Sequence, residues 1–246
     1  MHQADGTLLE ILSNPKNIVS LVPSVTQDLI RFGKAPIGRT AFCVEPRFAV
    51  STIPIIGGTK TPNIPKIIEL APDLVIANQE ENIKVHVEQL QREGLAVWVQ
   101  FPISLSETLE MLLDLEKVTG PGKYSRSVIN HLATVVKGGE SDQPKRTFTF
   151  AIPIWKDPWM AAGSETYIDS LMSFVGGTNV FKQARYPKFQ LSDLEELQPE
   201  IIILPTEPYS FTENHKNDLH RMFSSSCVEL FSGEDLCWPG TRSFAA

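Results

Sequence analysis

Basic, acidic, thiol and aromatic side chains cluster in short segments that directly follow apolar runs of this sequence. The first half of the chain supplies Arg39, Phe42, Cys43, Glu45, Lys60, Asn78 and Glu80, and the second half supplies Trp155, Trp159, Glu207, Trp238 and Arg242. Open α/β sheets bind their ligands beyond the carboxyl ends of the strands. A pocket also needs apolar walls with a few placed polar groups. We therefore predict that these residues bind a small molecule.

Some of these residues have two interpretations. Arg39 and Arg242 are suited to gripping a carboxylate or phosphonate with the guanidinium fork, although a structural ion pair with Glu45 or Glu80 would use the same groups. The tryptophans in the loops either contact the ligand or pack against the core. Cys43 together with Glu45 suits a soft or borderline metal ion, whereas the simpler interpretation of Cys43 is an inert thiol. A metal site is therefore an alternative and not our prediction.

Motifs of the common enzyme and nucleotide-binding families are absent from the sequence. The glycine loop at Gly57 and Gly58 lacks the lysine spacing of a P-loop, and neither G-x-G-x-x-G nor G-x-S-x-G occurs. Three cysteines without close spacing predict neither a disulfide framework nor a zinc site. We therefore predict a binding protein with no catalytic residues, no cofactor and no resident metal.

Composition and charge limit the class of protein further. The chain has 246 residues, of which 42% are hydrophobic and 21% charged, enough to bury one large or two small cores. A net charge of −7 argues against nucleic-acid binding. The sequence contains no apolar run of membrane-spanning length and begins without the basic and apolar segments of a secretory signal. These features predict a cytoplasmic protein without a transmembrane segment, with a periplasmic or cell-surface location as the alternative.

Residues 64–81 predict the unit from which the fold is built. They consist of a short amphipathic helix, a break at Pro72, an apolar strand at 74–77 and a polar loop. Residues 191–207 show the same order, with the break at Pro199. The two halves of the chain are therefore predicted to be copies of one kind of α/β lobe.

Helical periodicity over residues 105–118 and 123–137 predicts a stiff joint between the two copies. We predict an α/β fold of two Rossmann-like lobes, each with a central, mainly parallel sheet, joined by a long interdomain helix. The lobes are predicted to span residues 17–102 and 146–246, with the helical linker at 103–145. Facing strand ends would leave a cleft for the ligand.

The sequence also gives several local expectations. Ser24 is expected to cap the first long helix. Residues 1–16 are expected to be a polar leader that forms either a short helix around residues 8–12 or a loose arm. Residues 39–46, 153–159 and 236–242 are expected to be loops.

Five segments in order carry a resemblance to a known family: VSLVPS at 19–24, GGTK at 57–60, LAPDLV at 70–75, GGTNVF at 176–181 and PEII at 199–202. They resemble the helical-backbone (class III) substrate-binding proteins, which serve ABC importers of vitamin B12, iron chelates and metals. The likeness extends from about Asn17 to Phe244. It implies two α/β lobes joined by one long helix, a ligand held between them, an ABC permease as partner and no catalysis.

The chain differs from this family at positions that bear on function. The glutamates by which family members dock on the permease correspond here to Pro65 and Ser192, with Glu69 and Asp193 nearby.

The tryptophans that stack on the corrin of vitamin B12 correspond here to Thr59 and Asn78, and Phe42 is the one aromatic residue kept. These differences leave one alternative of another class, a cytoplasmic enzyme or ligand sensor that reuses the scaffold.

Overall fold

The computed structural model describes residues 1–10, 14–141 and 147–242. The chain divides into two compact units. The first unit comprises Met1–Pro102 and Glu107–Ala133, and the second comprises Ile103–Ser106 and Thr134–Ala246. Across the described ranges, no helix combines the length and the apolar character needed to cross a bilayer.

The first unit is built on a four-stranded parallel sheet with strand order β2-β1-β3-β4. Its strands are β1 (Ile18–Ser20), β2 (Gly38–Arg39), β3 (Leu74–Asn78) and β4 (Val97–Gln100). Its helices are α1 (Pro23–Arg31), α2 (Arg47–Val50), α3 (Ile64–Glu69), α4 (Lys84–Arg92) and most of α5 (Leu105–Thr119). Helix α6 (Lys123–Ser141) contains the boundary between the units. The mixed α/β fold with parallel sheets predicted from the sequence is confirmed.

Strand β3 is the apolar strand predicted at residues 74–77. Each of its residues is buried, and β1 and β4 pair with it on either side, as is typical of a central strand in a parallel sheet. Ile64 and Ile67 of α3 and Leu90 of α4 pack in one core with Val75. Burying each of these side chains stabilises the fold by roughly 1.5–3 kcal/mol. This core fixes the edge of the sheet from which the loop after β3 emerges.

Residues 1–9 form an arm along the free edge of β4. The side-chain amide of Gln3 donates from Nε2 to the carbonyl of Val97 at 3.1 Å and accepts at Oε1 from the N–H of Val99 at 2.6 Å. The N–H of Ala4 donates to the carbonyl of Val99 at 2.8 Å. The arm is therefore bound and not loose. Residues 11 and 12 of the helix considered at residues 8–12 lie outside the described residues.

The second unit contains its own parallel sheet with strand order β10-β9-β5-β8, beside a small antiparallel pair, β6 and β7. Its strands are β5 (Phe148–Ala151), β6 (Pro153–Trp155), β7 (Met160–Ala161), β8 (Gly177–Asn179), β9 (Ile201–Pro205) and β10 (Cys227–Phe231). Its helices are α7 (Tyr167–Phe174), α8 (Leu191–Leu197), α9 (Glu213–Met222) and α10 (Gly233–Cys237).

The two repeated units predicted from the sequence also share a backbone conformation at the end of their helices. Ala71 follows α3 with φ +43°, and Gln198 follows α8 with φ +45°, so both helices end in the left-handed conformation directly before a proline. The residue before proline disfavours the right-handed helical region, which explains why both helices end here. In each unit the chain then enters a parallel strand, β3 or β9.

Two local predictions about the first unit are wrong. Ser24 is not the cap of α1, because the helix begins at Pro23 with Val22 as the N-cap. Proline suits the first helical position, where the missing N–H costs no hydrogen bond. Arg39 does not lie in a loop, because it forms β2 and pairs with Ser20 of β1.

Two predicted loops of the second unit are partly regular structure. Residues 153–159 contain β6, which turns back onto β7. Residues 236–242 contain the end of α10, and Trp238 after it is only 8% exposed. Helix α10 escaped prediction because it has only five residues.

Candidate functional site

In the first unit, Asn78 and Lys60 hold the loop that follows β3. Asn78 Oδ1 accepts hydrogen bonds from the backbone N–H groups of Glu80 and Glu81, at 2.8 and 3.3 Å. Asparagine commonly stabilises turns in this way. Lys60 Nζ donates to the carbonyl of Glu80. The structure therefore brings together three of the predicted ligand residues, with Lys60 and Glu80 exposed and Asn78 buried.

The glycine loop that carries Lys60 depends on Gly57. Gly57 has φ +105°, and a Cβ added to it would lie 2.5 Å from the carbonyl oxygen of Thr61 and 2.8 Å from the N–H nitrogen of Asn63. A residue with a side chain therefore fits neither the conformation nor the space. The Gly57 carbonyl accepts from the N–H of Ala41 at 2.8 Å, which joins this loop to the end of β2.

Arg39 is 8% exposed and acts on the backbone around it. Its Nε donates to the carbonyl of Val50 at 2.9 Å, and its Nη1 donates to the carbonyl of Thr40 at 3.1 Å. The ion pair with Glu45 or Glu80 that we considered from the sequence is not formed by Arg39 in the described part of the chain. These contacts give Arg39 a structural task, and its predicted ligand contact remains a prediction.

Cys43 is fully buried and surrounded by hydroxyl groups. Thr26 Oγ1 donates to Cys43 Sγ at 3.1 Å, and Thr40 Oγ1 lies 3.2 Å from it. Burial raises the pKa of the Cys43 thiol, although these hydrogen bonds act in the opposite direction. A buried neutral thiol is a poor metal ligand. Within the described residues, no group of three or more His, Cys, Asp or Glu side chains is arranged to hold a metal ion.

The segment after β2 also carries two exposed aromatic side chains. Phe42 is 62% exposed and Phe48 of α2 is 94% exposed. The Phe42 ring lies beside the glycine loop, since a Cβ added to Gly58 would be 3.4 Å from its Cε2. Glu45 is half-buried between these two phenylalanines in the chain. This loop therefore offers exposed aromatic area beside the glycine loop.

In the second unit, α10 and the residues after it form a cluster of opposite charges. The Arg242 guanidinium donates from Nε to Asp235 Oδ1 at 2.5 Å and pairs through Nη2 with Glu234 Oε2 at 2.5 Å. Ser232 caps α10 by accepting the N–H of Asp235 at 3.2 Å. Arg242 is therefore held in place by two carboxylates, and both are presented by the first turn of α10.

Glu207 lies at the same edge, in the loop after β9. Burial and the nearby charge of Glu234 raise the pKa of its carboxyl group, whereas a hydrogen bond from Trp238 and the charge of Arg242 act in the opposite direction. The Glu207 carbonyl accepts from Cys237 Sγ at 3.5 Å. Three predicted ligand residues of this unit, Glu207, Trp238 and Arg242, therefore form one electrostatically coupled group.

The two remaining predicted tryptophans differ in exposure. Trp155 of β6 is 42% exposed and meets Tyr209 edge-on, with ring centroids 5.6 Å apart. Trp159 is less exposed and stacks on Phe211 at 6.0 Å with an interplanar angle of 11°. Trp159 packs against the core of the unit. Trp155 is therefore the better placed of the two for contact with a ligand.

The prediction missed Glu234 and Asp235, which set the environment of Arg242 and Glu207. A signal was present, because Ser232 precedes Asp235 by three residues, the spacing typical of a capped helix start. Tyr209 was not among the residues predicted to bind the ligand. Its contact with Trp155 depends on the β6–β7 pair, which the sequence did not predict.

Comparison with known proteins supports the fold across most of the chain. No family model matches the sequence. The vitamin B12-binding protein of Yersinia pestis (strain Pestoides F) is 22% identical over 209 residues, which cover 80% of this chain and 73% of that protein. The crystal structure of the periplasmic vitamin B12 binding protein BtuF of Vibrio cholerae has a TM-score of 0.80 at 18% identity and covers 94% of this chain and 93% of its own. The periplasmic heme-binding protein RhuT from Roseiflexus sp. RS-1, in its apo form, has a TM-score of 0.77 at 15% identity and covers 92% and 93%.

The predicted cytoplasmic location is wrong, because both of these solved structures are of periplasmic binding proteins. The relatives are also binding proteins and not enzymes. The resemblance to the helical-backbone substrate-binding proteins that the sequence indicated is therefore confirmed, in sequence by the Yersinia relative and in fold by the two solved structures.

Proposed function

We propose that this protein binds a compact small molecule, such as a cobalamin or an iron chelate of the heme type, without transforming it. The observation that carries the proposal is the agreement in fold with a vitamin B12-binding and a heme-binding protein over at least 92% of the chain. The absence of the common catalytic motifs from the sequence agrees with it. The alternative of an enzyme or sensor that reuses the scaffold is not favoured by these relatives.

The strand-end loops of each unit have the composition that such a ligand requires. The first unit presents the exposed ring of Phe42 beside the glycine loop that carries Lys60, and the second presents the exposed face of Trp155 beside Tyr209. Aromatic faces supply apolar contact area, and a few fixed polar groups set the orientation of the ligand. Arg242 is such a group, because Glu234 and Asp235 hold it in place.

We propose an ABC permease as the partner that receives the ligand. The support comes from the family resemblance and not from a docking surface. Of the acidic residues considered near the docking positions, Asp193 accepts the N–H of Gln190 at 2.8 Å in the capping box of α8, and Glu69 ends α3 as an exposed residue. Glu69 is therefore the more available of the two for a contact with a permease.

Titration of the purified protein with cyanocobalamin and with hemin, followed by absorbance and calorimetry, tests the proposal. We expect one of the two to bind at a single site. Phe42→Ala and Trp155→Ala should each weaken that binding by about tenfold, equivalent to about 1.4 kcal/mol, because each removes an exposed ring without opening the core.

Met222→Ala is the matched control. Met222 is 51% exposed at the end of α9, which precedes the amino end of β10 and therefore lies at the opposite edge of the sheet. Its removal should leave the affinity unchanged. A wild-type protein that binds neither probe contradicts the proposed ligand class. Wild-type affinity in both Phe42→Ala and Trp155→Ala contradicts the proposed site.

A further inference from the structure

Asn82 joins three separate loops of the first unit through one side chain. It is 6% exposed. Its Nδ2 donates to the carbonyl of Leu21 at 3.3 Å and to the carbonyl of Thr59 at 3.0 Å. Its Oδ1 accepts from the backbone N–H of Asn78 at 2.8 Å. Leu21 follows β1, Thr59 lies in the glycine loop and Asn78 ends β3, so the carboxamide connects three segments at the carboxyl edge of the sheet.

Only a carboxamide can make this set of contacts in a side chain of this size. It supplies two N–H donors for the two carbonyls and one acceptor for the N–H. A carboxylate of the same shape would keep the acceptor but would place negative charge against the carbonyls of Leu21 and Thr59. Because the group is buried, unpaired partners could not turn to water without local opening.

Two of the three loops, the glycine loop and the loop after β3, carry the polar residues Lys60, Asn78 and Glu80 of the proposed ligand site. Asn78, whose N–H is bound by Asn82, in turn holds the N–H of Glu80. Thr59, whose carbonyl is bound by Asn82, directly precedes Lys60, and Lys60 donates to the carbonyl of Glu80. A closed set of contacts therefore runs from Asn82 through both loops and meets at Glu80.

We infer that Asn82 is a positioning residue that fixes Lys60, Asn78 and Glu80 for ligand binding, an inference that rests on the proposed function. It contacts no ligand itself in this scheme. Its effect on affinity comes from preorganisation, since loops that are already ordered lose less conformational entropy when the ligand binds.

The test compares two Asn→Asp substitutions in the same unit. Asn82→Asp should raise the amide exchange rates of Thr59 and Glu80 and weaken binding of the probe that the wild type binds, cyanocobalamin or hemin, by about tenfold. Asn63→Asp is the control. The Asn63 side chain caps α3 by accepting the N–H of Lys66 at 3.1 Å, which an aspartate also does. Asn63→Asp should change neither the amide exchange rates nor the binding affinity.

Each outcome decides a separate point. Unchanged amide exchange in Asn82→Asp overturns the positioning role. Faster exchange together with wild-type affinity also overturns the positioning role, because it shows that ligand binding does not need the ordered loops. If Asn82→Asp does not fold, Asn82→Ser keeps one hydroxyl donor and should give a smaller change in the same direction. A wild type that binds neither probe counts against the proposed function, and the exchange rates then decide alone whether Asn82 orders these loops.

Discussion

Gln3→Ala tests whether a single side chain holds the amino-terminal arm on the first unit. The Gln3 amide completes the free edge of β4 as a neighbouring strand would, with one bond to the carbonyl of Val97 and one to the N–H of Val99. Two such hydrogen bonds contribute roughly 2 kcal/mol, at about 1 kcal/mol each. Fixing the glutamine side chain opposes this by up to about 1–2 kcal/mol of lost entropy. We therefore expect a net destabilisation of only about 1 kcal/mol.

The local effect should be larger than the global one, because the arm can detach without unfolding the sheet. Amide exchange measured by NMR should show Val99 exchanging about tenfold faster or more in Gln3→Ala, and Ala4, which donates to Val99, should follow. Urea unfolding measures the global change. Thr7→Ala is the control, because the Thr7 hydroxyl bonds Asp5 on the exposed side of the arm. An unchanged Val99 exchange rate in Gln3→Ala would refute the role of the side chain.

Two further predictions concern packing and pH. A Cβ at Gly177 would lie 2.7 Å from the buried Phe150 ring, so Gly177→Ala should lower the free energy of unfolding, measured in urea, by about 1–3 kcal/mol. A Cβ at Gly138 would meet nothing within 4 Å, so Gly138→Ala is the control and should not lower the free energy of unfolding. Equal stability of the two variants would contradict the packing described at Gly177. Burial alone would raise the pKa of Asp114, but hydrogen bonds and the charge of Lys117 lower it below its ordinary 3.8. The stability that Asp114 contributes is therefore present above pH 3.8 and should be lost as the pH falls through its folded pKa. In urea titrations at acid pH, the wild type should lose its stability advantage over Asp114→Asn. A stability difference between the two proteins that does not change with pH contradicts this.

The sequence predicted most of the regular elements because their signals are local. The apolar run at β3 and the proline after α3 are each explained by burial and backbone geometry within a few residues. The same pattern predicted α8 and β9, and the structure agrees. Helix α10 was not predicted because a helix of five residues is too short to show helical periodicity.

The residues of the candidate site could be predicted from the sequence, but the groups that each of them contacts could not. Sequence position indicated that Arg39 and Arg242 lie near strand ends, but it could not tell which acceptors they meet. Arg39 is occupied by backbone carbonyls, and Arg242 is occupied by two carboxylates of α10. Such contacts depend on segments that lie apart in the chain, so no local pattern encodes them.

The sequence by itself determined the order of helices and strands, the repeat of the α/β unit and the resemblance to binding proteins, since these follow from periodicity and from short motifs. Only the tertiary structure decided that Cys43 is a buried thiol, that Trp238 is buried at the end of a helix and that Asn82 connects three loops. The physical reason is that burial and hydrogen-bond partners depend on which distant segments meet in space, whereas propensity and periodicity are read along the chain.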